Sequence, residues 1–280
     1  MPTTIRVAHS PDSDDAFMFY GVACGAVRAD GFAFAEELSD IETLNQAATE
    51  ARYEVTALSV HAYAYLADKY LLLDSGASLG DGYGPILAVP AASPVRSAAE
   101  LSGKRIAIPG KRTSAALALA LCVPKHTPVV MDFKTVGDAA KRGDVDAAVV
   151  IHEGQLTAAE EGLHVVEDLG AWWKRRTGLP LPLGVNAIRR DLAEPVRTAL
   201  ARAMAESVIY GLEHRDAALD HAMGYARGLD RARADRFVGM YVNDWTRKLG
   251  DRGRRAVALL LSEAAARGLL PRVKPEYQEY

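Results

Sequence analysis

The sequence predicts an α/β protein of two lobes facing each other across a cleft, with a helical C-terminal region. Three observations lead there. Short apolar runs of strand character alternate with helix-patterned stretches through the first two thirds of the chain, the pattern of sheets with helices packed on their faces. Two extended runs punctuated by glycine and proline, Gly80–Ser93 (GDGYGPILAVPAAS) and Gly178–Ala187 (GLPLPLGVNA), interrupt that alternation. From about Asp191 onward the spacing of apolar residues is helical throughout.

In chain order, the first strand covers Ile5–His9 and runs into the acidic turn Ser10–Asp15 (SPDSDD), with a helix over Asp15–Ala26. A helix over Ile41–Ala51, a strand over Glu54–Ser59, a helix over Val60–Tyr70 and a strand over Leu71–Asp74 follow. The next strands are Ile86–Pro90, Arg105–Pro109, Val129–Phe133, Ala147–Ile151 and Leu163–Asp168. The helices between them are Thr113–Cys122, Val136–Arg142 and Gly154–Glu161. Such alternation favours largely parallel sheets. Leu192–Leu212, Asp216–Arg227, Arg231–Val242 and Gly253–Arg267, rich in Ala, Leu, Arg and Glu, form the C-terminal helical set. Pro180 and Pro182 disfavour helix and push the residues before them into extended geometry. If the first punctuated run leads out of one lobe and the second leads back, lobe 1 comprises residues 1–88 and 186–280. Lobe 2 is then 89–185, and the C-terminal helices pack on the lobe that holds the N-terminus.

Composition narrows the function. A 49% hydrophobic share over 280 residues supplies ample core, and 25% charged residues is an ordinary globular value. Lys and Arg total 33 against 36 Asp and Glu, a net charge of −3, which offers no general attraction to nucleic acid or anionic membranes. Two cysteines, Cys24 and Cys122, make no disulfide framework and show no metal-ligand spacing. No apolar run approaches the roughly 20 residues of a membrane span. The N-terminus shows neither a basic start followed by an apolar stretch nor a small-residue cleavage site, so a cytoplasmic location is expected.

Four segments carry candidate chemistry. In SPDSDD, Ser13, Asp14 or Asp15 is placed to cap the following helix, and the same turn lies at a strand end, where α/β sheets bind ligands. Asp15 is the residue expected to touch a ligand hydroxyl. Gly110–Ser114 (GKRTS) is not a nucleotide-binding P-loop, because Arg105 stands where the first glycine is needed and Arg112 where a Ser or Thr must follow the lysine. It still places two hydroxyls, Thr113 and Ser114, at a helix N-terminus suited to a carboxylate or phosphate, or simply to capping. Ala57–Ser59 closes another strand, with Ser59 at an N-cap position. His152, in the run before Glu153, ends an apolar strand; Leu156 stands where a metalloprotease helix needs its second histidine. A histidine in a cleft is a natural proton acceptor, and His9 and His61 are the other candidates. Trp172 and Trp173, beside three basic residues, are expected to pack at the crossover.

These segments resemble a known family. HSPDSDDAFMFYG, DIETLN, ALSVHAYAYL, SGASLGDGYGP, IPGKRTSA, VIHEG and GAWWKRRTGLPLPLG fall in an order similar to that of the 1,4-dihydroxy-6-naphthoate synthases of the futalosine route to menaquinone. The resemblance covers most of the chain and weakens in the last helices. It implies a two-lobed fold of the periplasmic-binding-protein type (type II) and cleavage of cyclic dehypoxanthinyl futalosine to the dihydroxynaphthoate and a sugar-derived fragment. It also implies His152 as general base and substrate contacts at Ala57, Leu58, Ser59, Thr113 and Ser114. The substrate is a small carboxylated molecule, and neither a metal nor an organic cofactor is implied. One departure stands out. The family's first motif is typically SPCPNDTF, of which this chain keeps only Ser10, Pro11, Asp15 and Phe17. Two other functions compete: a chorismate dehydratase-like enzyme of the same pathway, and a non-catalytic solute-binding protein.

Overall fold

A computed structural model describes residues 2–226 and 228–280. Twelve strands and twelve helices fall into two sheets and their covering layers. The strands are β1 (Thr3–His9), β2 (Phe32–Leu38), β3 (Val55–Ser59), β4 (Tyr70–Leu73), β5 (Ser78–Gly80), β6 (Ile86–Pro90), β7 (Arg105–Ile108), β8 (Thr127–Val130), β9 (Ala147–Val150), β10 (Leu163–Asp168), β11 (Leu181–Arg189) and β12 (Tyr277–Gln278). The helices are α1 (Ser13–Ala23), α2 (Ile41–Ala47), α3 (Val60–Tyr63), α4 (Ser114–Cys122), α5 (Val136–Arg142), α6 (Gly154–Thr157), α7 (Leu169–Thr177), α8 (Glu194–Glu213), α9 (Arg215–Met223), α10 (Arg231–Tyr241), α11 (Asp244–Arg247) and α12 (Gly250–Ala266). None of the described helices is long and apolar enough to cross a membrane.

The first sheet runs β12-β4-β11-β3-β1-β2, with β5 also on β11; the second runs β10-β6-β9-β7-β8. The chain passes from one to the other between β5 and β6 and returns in β11. The expectation of largely parallel sheets needs correction. Pairs such as β1–β2, β1–β3, β7–β8 and β7–β9 are parallel, but β6 and β11 pair antiparallel with their neighbours. Each of these is the strand by which the chain enters a sheet from the other one, so it need not keep the direction that helical crossovers impose. The Pro-punctuated run after Gly178 is therefore a strand as well as a crossover. Pro182 is accommodated at a register shift between Pro182 and Gly184 against β5, where a missing N–H does least harm.

Several boundaries differ from the sequence reading. The helix expected over Val60–Tyr70 stops at Tyr63, because Tyr63 and Leu66 turn inward into the core and the chain closes in turns. The helix expected over Gly154–Glu161 stops at Thr157. Arg227, the expected end of the second C-terminal helical stretch, lies outside the described residues; α9 ends at Met223. β2 and α7 were not anticipated. β2 is an edge strand, half-exposed along its length, and α7 is amphipathic in aromatic and basic residues rather than in aliphatic ones.

α8, α9 and α10 lie on α1, and α8 and α12 lie on β11. α1 approaches α8 so closely that a Cβ on Gly21 would sit 2.9 Å from the Ser207 Cα. The Ser207 hydroxyl staples the contact, accepting from Val22 N and donating to Met18 O. One apolar core runs through both sheets, joining Leu58 and Leu72 of the first to Ile106 and Val149 of the second, with Trp173 buried among them. Trp173 packs as expected.

Candidate active site

Between the sheets lies a cavity open to solvent and lined from both of them, the concave setting in which small-molecule sites are usually found. The first sheet delivers Asp12, Asp14 and Asp15 from the turn after β1, and Ala57 and Ser59 from the end of β3. The second delivers Thr113 and Ser114 at the start of α4 and His152 after β9. Of the expected base and substrate contacts, Ala57, Leu58, Ser59, Thr113, Ser114, Asp15 and His152, Leu58 alone stays away from the cavity. Side chains alternate along a strand, so Leu58 points opposite to Ala57 and Ser59 and packs in the apolar core.

His152 has a left-handed backbone, φ 56, which it shares only with Ala51 among the described non-glycine residues. That turn ends the strand abruptly and swings the imidazole into the cleft. The Gln155 amide is best oriented with its nitrogen toward the Gly84 carbonyl (2.6 Å) and its oxygen accepting from the His152 N–H (3.2 Å). Phe133 meets the ring edge-on at 5.0 Å. The ring Nδ1 lies 3.0 Å from Asp12 Oδ2. Neither competing histidine lines the cavity: His9 is stacked on Phe19 and bonded to the Ser10 carbonyl, and His61 is bonded to the Thr113 carbonyl. Burial lowers the pKa of both.

Asp12, which the sequence reading passed over, is the organising residue of the acidic turn. Its carboxylate, rather than the side chain of Ser13, Asp14 or Asp15, caps α1, with Oδ1 accepting from Asp15 N at 3.3 Å. Its Oδ2 accepts from the Ser10 hydroxyl at 2.8 Å. Burial opposes its charge, but the neighbouring His152 and hydrogen bonds from His152, Asp14 and Ser10 hold the carboxyl well below its usual range. Its spacing was a usable signal, since Asp12 stands three residues before Asp15, the N-cap-to-N3 interval. Asp15 is engaged by Ser10, whose N–H and hydroxyl reach its Oδ2 at 2.8 and 2.7 Å. Burial and the Asp12 charge push Asp15 up to about 7. Asp14 is raised further, chiefly by burial, and its Oδ1 is buried with no partner. Oxygens of these three carboxyls lie within 4.8 Å of one another. As a cation site the trio fits poorly, because Asp12 is committed to His152, Asp15 to Ser10, and burial disfavours charge on Asp14.

The hydroxyls at α4 are occupied from within. Thr113 Oγ1 caps the helix, accepting from Ala116 N and donating to Gly110 O. Ser114 Oγ donates to Leu183 O at 2.6 Å and accepts from His61 N. Capping is thus part of the role, and an anion would meet the opening N–H groups of α4 more than these hydroxyls. Ser59 does not cap α3 by its side chain. Asn45 holds it, donating to Ser59 Oγ at 3.0 Å and accepting from Ser59 N at 2.9 Å. Glu42 was also unanticipated. From α2 it reaches across to the loop before α4, accepting from Lys111 N and Arg112 N at 3.2 and 3.1 Å.

A family model described as "Menaquinone biosynthesis" matches residues 5–266. The chain belongs to that family. Within it, 1,4-dihydroxy-6-naphthoate synthase of Thermus thermophilus is 41% identical over 265 residues, 95% of each chain. A solved structure of an Archaeoglobus fulgidus protein superposes with a TM-score of 0.90 at 49% identity, covering 95% of this chain and 98% of that one. At 17% identity the alkanesulfonate-binding protein of Xanthomonas axonopodis still superposes at 0.73, covering 98% of this chain and 96% of the other. The family fold is that of periplasmic binding proteins.

Proposed function

We propose that the protein is a carbon–carbon lyase that converts cyclic dehypoxanthinyl futalosine to 1,4-dihydroxy-6-naphthoate and a sugar-derived fragment, acting in the cytoplasm. Family membership and the name of the Thermus relative support the reaction. The observation that carries the mechanism is the imidazole of His152 in the cavity, its Nδ1 bonded to a buried carboxylate. The other ring nitrogen takes a proton from the bound substrate, starting an elimination or retro-aldol-like cleavage that releases the aromatic product. General-base assistance of this kind contributes about 10²–10⁴-fold. The substrate carboxylate sits at the N-terminus of α4, beside Thr113, Ser114 and the Ser59 hydroxyl, which Asn45 leaves free to donate. Asp15, which is substantially neutral near pH 7, donates to a substrate hydroxyl. The lobe that carries the first sheet and the lobe that carries the second close on the substrate and exclude water.

The decisive assay incubates the purified protein with cyclic dehypoxanthinyl futalosine and follows dihydroxynaphthoate by mass. Its appearance at a rate proportional to protein concentration supports the reading. Tight binding with no product points to a solute-binding role, and dehydration of chorismate instead would move the protein to the neighbouring reaction.

A further inference from the structure

A histidine base works only when the nitrogen facing the substrate carries the lone pair, and the partner of the other nitrogen decides this. We propose that Asp12 is the positioning residue for His152, fixing Nδ1 as the protonated nitrogen from the opposite side of the cleft and leaving Nε2 as the acceptor. The proposal rests on the base assignment made above.

The geometry supports a fixed orientation. Asp12 comes from the turn after β1 in the first sheet and His152 from the end of β9 in the second, so the contact joins residues 140 positions apart. The two Asp12 oxygens have separate tasks: Oδ1 holds the first turn of α1, while Oδ2 receives Ser10 Oγ and faces Nδ1 at 3.0 Å. An ionised carboxylate only accepts hydrogen bonds, so Nδ1 must donate. The Asp12 side chain is 2% exposed, which keeps water from competing for the contact. Asp15 is held elsewhere, its Oδ2 accepting from the Ser10 N–H at 2.8 Å. A positive charge appearing on the ring as the proton arrives is met at once by the carboxylate behind it, as in other carboxylate–histidine pairs.

Asp12→Asn separates this role from a structural one. Asparagine is as good an N-cap as aspartate. With its oxygen retained as the cap, its NH₂ faces Nδ1 and donates, forcing the ring proton to Nε2. Protein labelled with ¹⁵N-histidine is compared at alkaline pH for wild type, Asp12→Asn and Asp12→Ser, with His152→Asn assigning the signal. Expected are the Nδ1–H form in wild type, the Nε2–H form in the Asn variant, and a mixture in the Ser variant, which caps but falls short of the ring. Turnover in the Asn variant should fall about 10²–10⁴-fold in kcat with KM within about threefold. An unchanged tautomer in both Asp12 variants overturns the proposal, as does an altered tautomer with wild-type kcat. If wild type makes no dihydroxynaphthoate, the reaction reading fails, and the ring spectra still decide whether Asp12 sets the tautomer.

Discussion

At the residue scale, His152 carries the sharpest expectation. His152→Asn keeps a polar group and tolerates the left-handed backbone at this position. Substrate affinity should therefore persist while turnover falls by roughly 10²-fold or more; near-normal turnover would move the base elsewhere, first to Asp15. Asp15 makes a second prediction, through pH. Its carboxyl is held at about 7 against an ordinary 3.8, so the folded chain binds this proton more tightly than the unfolded one. Its contribution to stability is then most favourable below about pH 4 and declines as the pH rises towards 7. Asp12 works in the opposite sense, contributing above the ordinary carboxylate range and losing that contribution on acidification. Asp15→Asn should flatten the fall in Tm between pH 4 and 7, and parallel melting curves for variant and wild type would refute it. Asp15, Ala57, Ser59, Thr113, Ser114 and His152 were legible in the sequence because each sits at a strand end or helix start, whereas Gly76, Ser78, Asn186, Phe237 and Tyr241, which line the same cavity, were not. Asp12 was not read as the partner of His152, because nothing local reports a contact between positions so far apart.

At the scale of the element, the loop before α4 depends on Gly110. A Cβ there would lie 2.5 Å from Glu42 Oε2, so Gly110→Ala should drive the Glu42 carboxylate off the Lys111 and Arg112 N–H groups. The cost should be about 1–3 kcal/mol, the range for charge-assisted hydrogen bonds to backbone. Glu42→Gln should cost less, and adding it to Gly110→Ala should change little further, since both remove one contact. Denaturant midpoints of the three variants measure this; additive losses would mean the contact is not shared. Ile86–Pro90, an uninterrupted apolar run with firm punctuation, and Leu163–Asp168, entered from Gly162, agree with the sequence reading to the residue. β2 escaped because its apolar stretch, Phe32–Ala35, is short and gives way to Glu36 and Glu37 on a half-exposed edge, and α7 because its one-sided pattern is carried by Trp and Arg.

At the scale of the whole molecule, two sheets share one core. Because Leu58, Leu72, Ile106, Val149 and Trp173 belong to the same buried cluster, the two halves should lose structure together. Tryptophan fluorescence and far-ultraviolet dichroism should give coincident denaturation curves, whereas two separated transitions would show independently stable halves. Trp173→Ala should lower stability by about 3–5 kcal/mol without splitting the transition. The two Pro/Gly runs fall at β5–β6 and at β11, where the chain passes between the sheets. The continuity of the core between the sheets was not readable, since each apolar run looks the same whichever sheet it joins.

The acceptor nitrogen and the carboxylate that orients it arrive from opposite walls of the cleft. Their contact is formed at 3.0 Å, and only a molecule that touches both walls holds it against opening of the cleft; one filling a single wall leaves the pair free to part, and with it the defined lone pair. Discrimination between the right substrate and a fragment of it is thereby moved out of affinity and into the rate of reaction. A fragment keeping the carboxylate but lacking the bulk to span the walls would occupy the protein as an inert guest. Such a protein chooses among similar molecules by which of them it can finish, rather than by which of them it can hold.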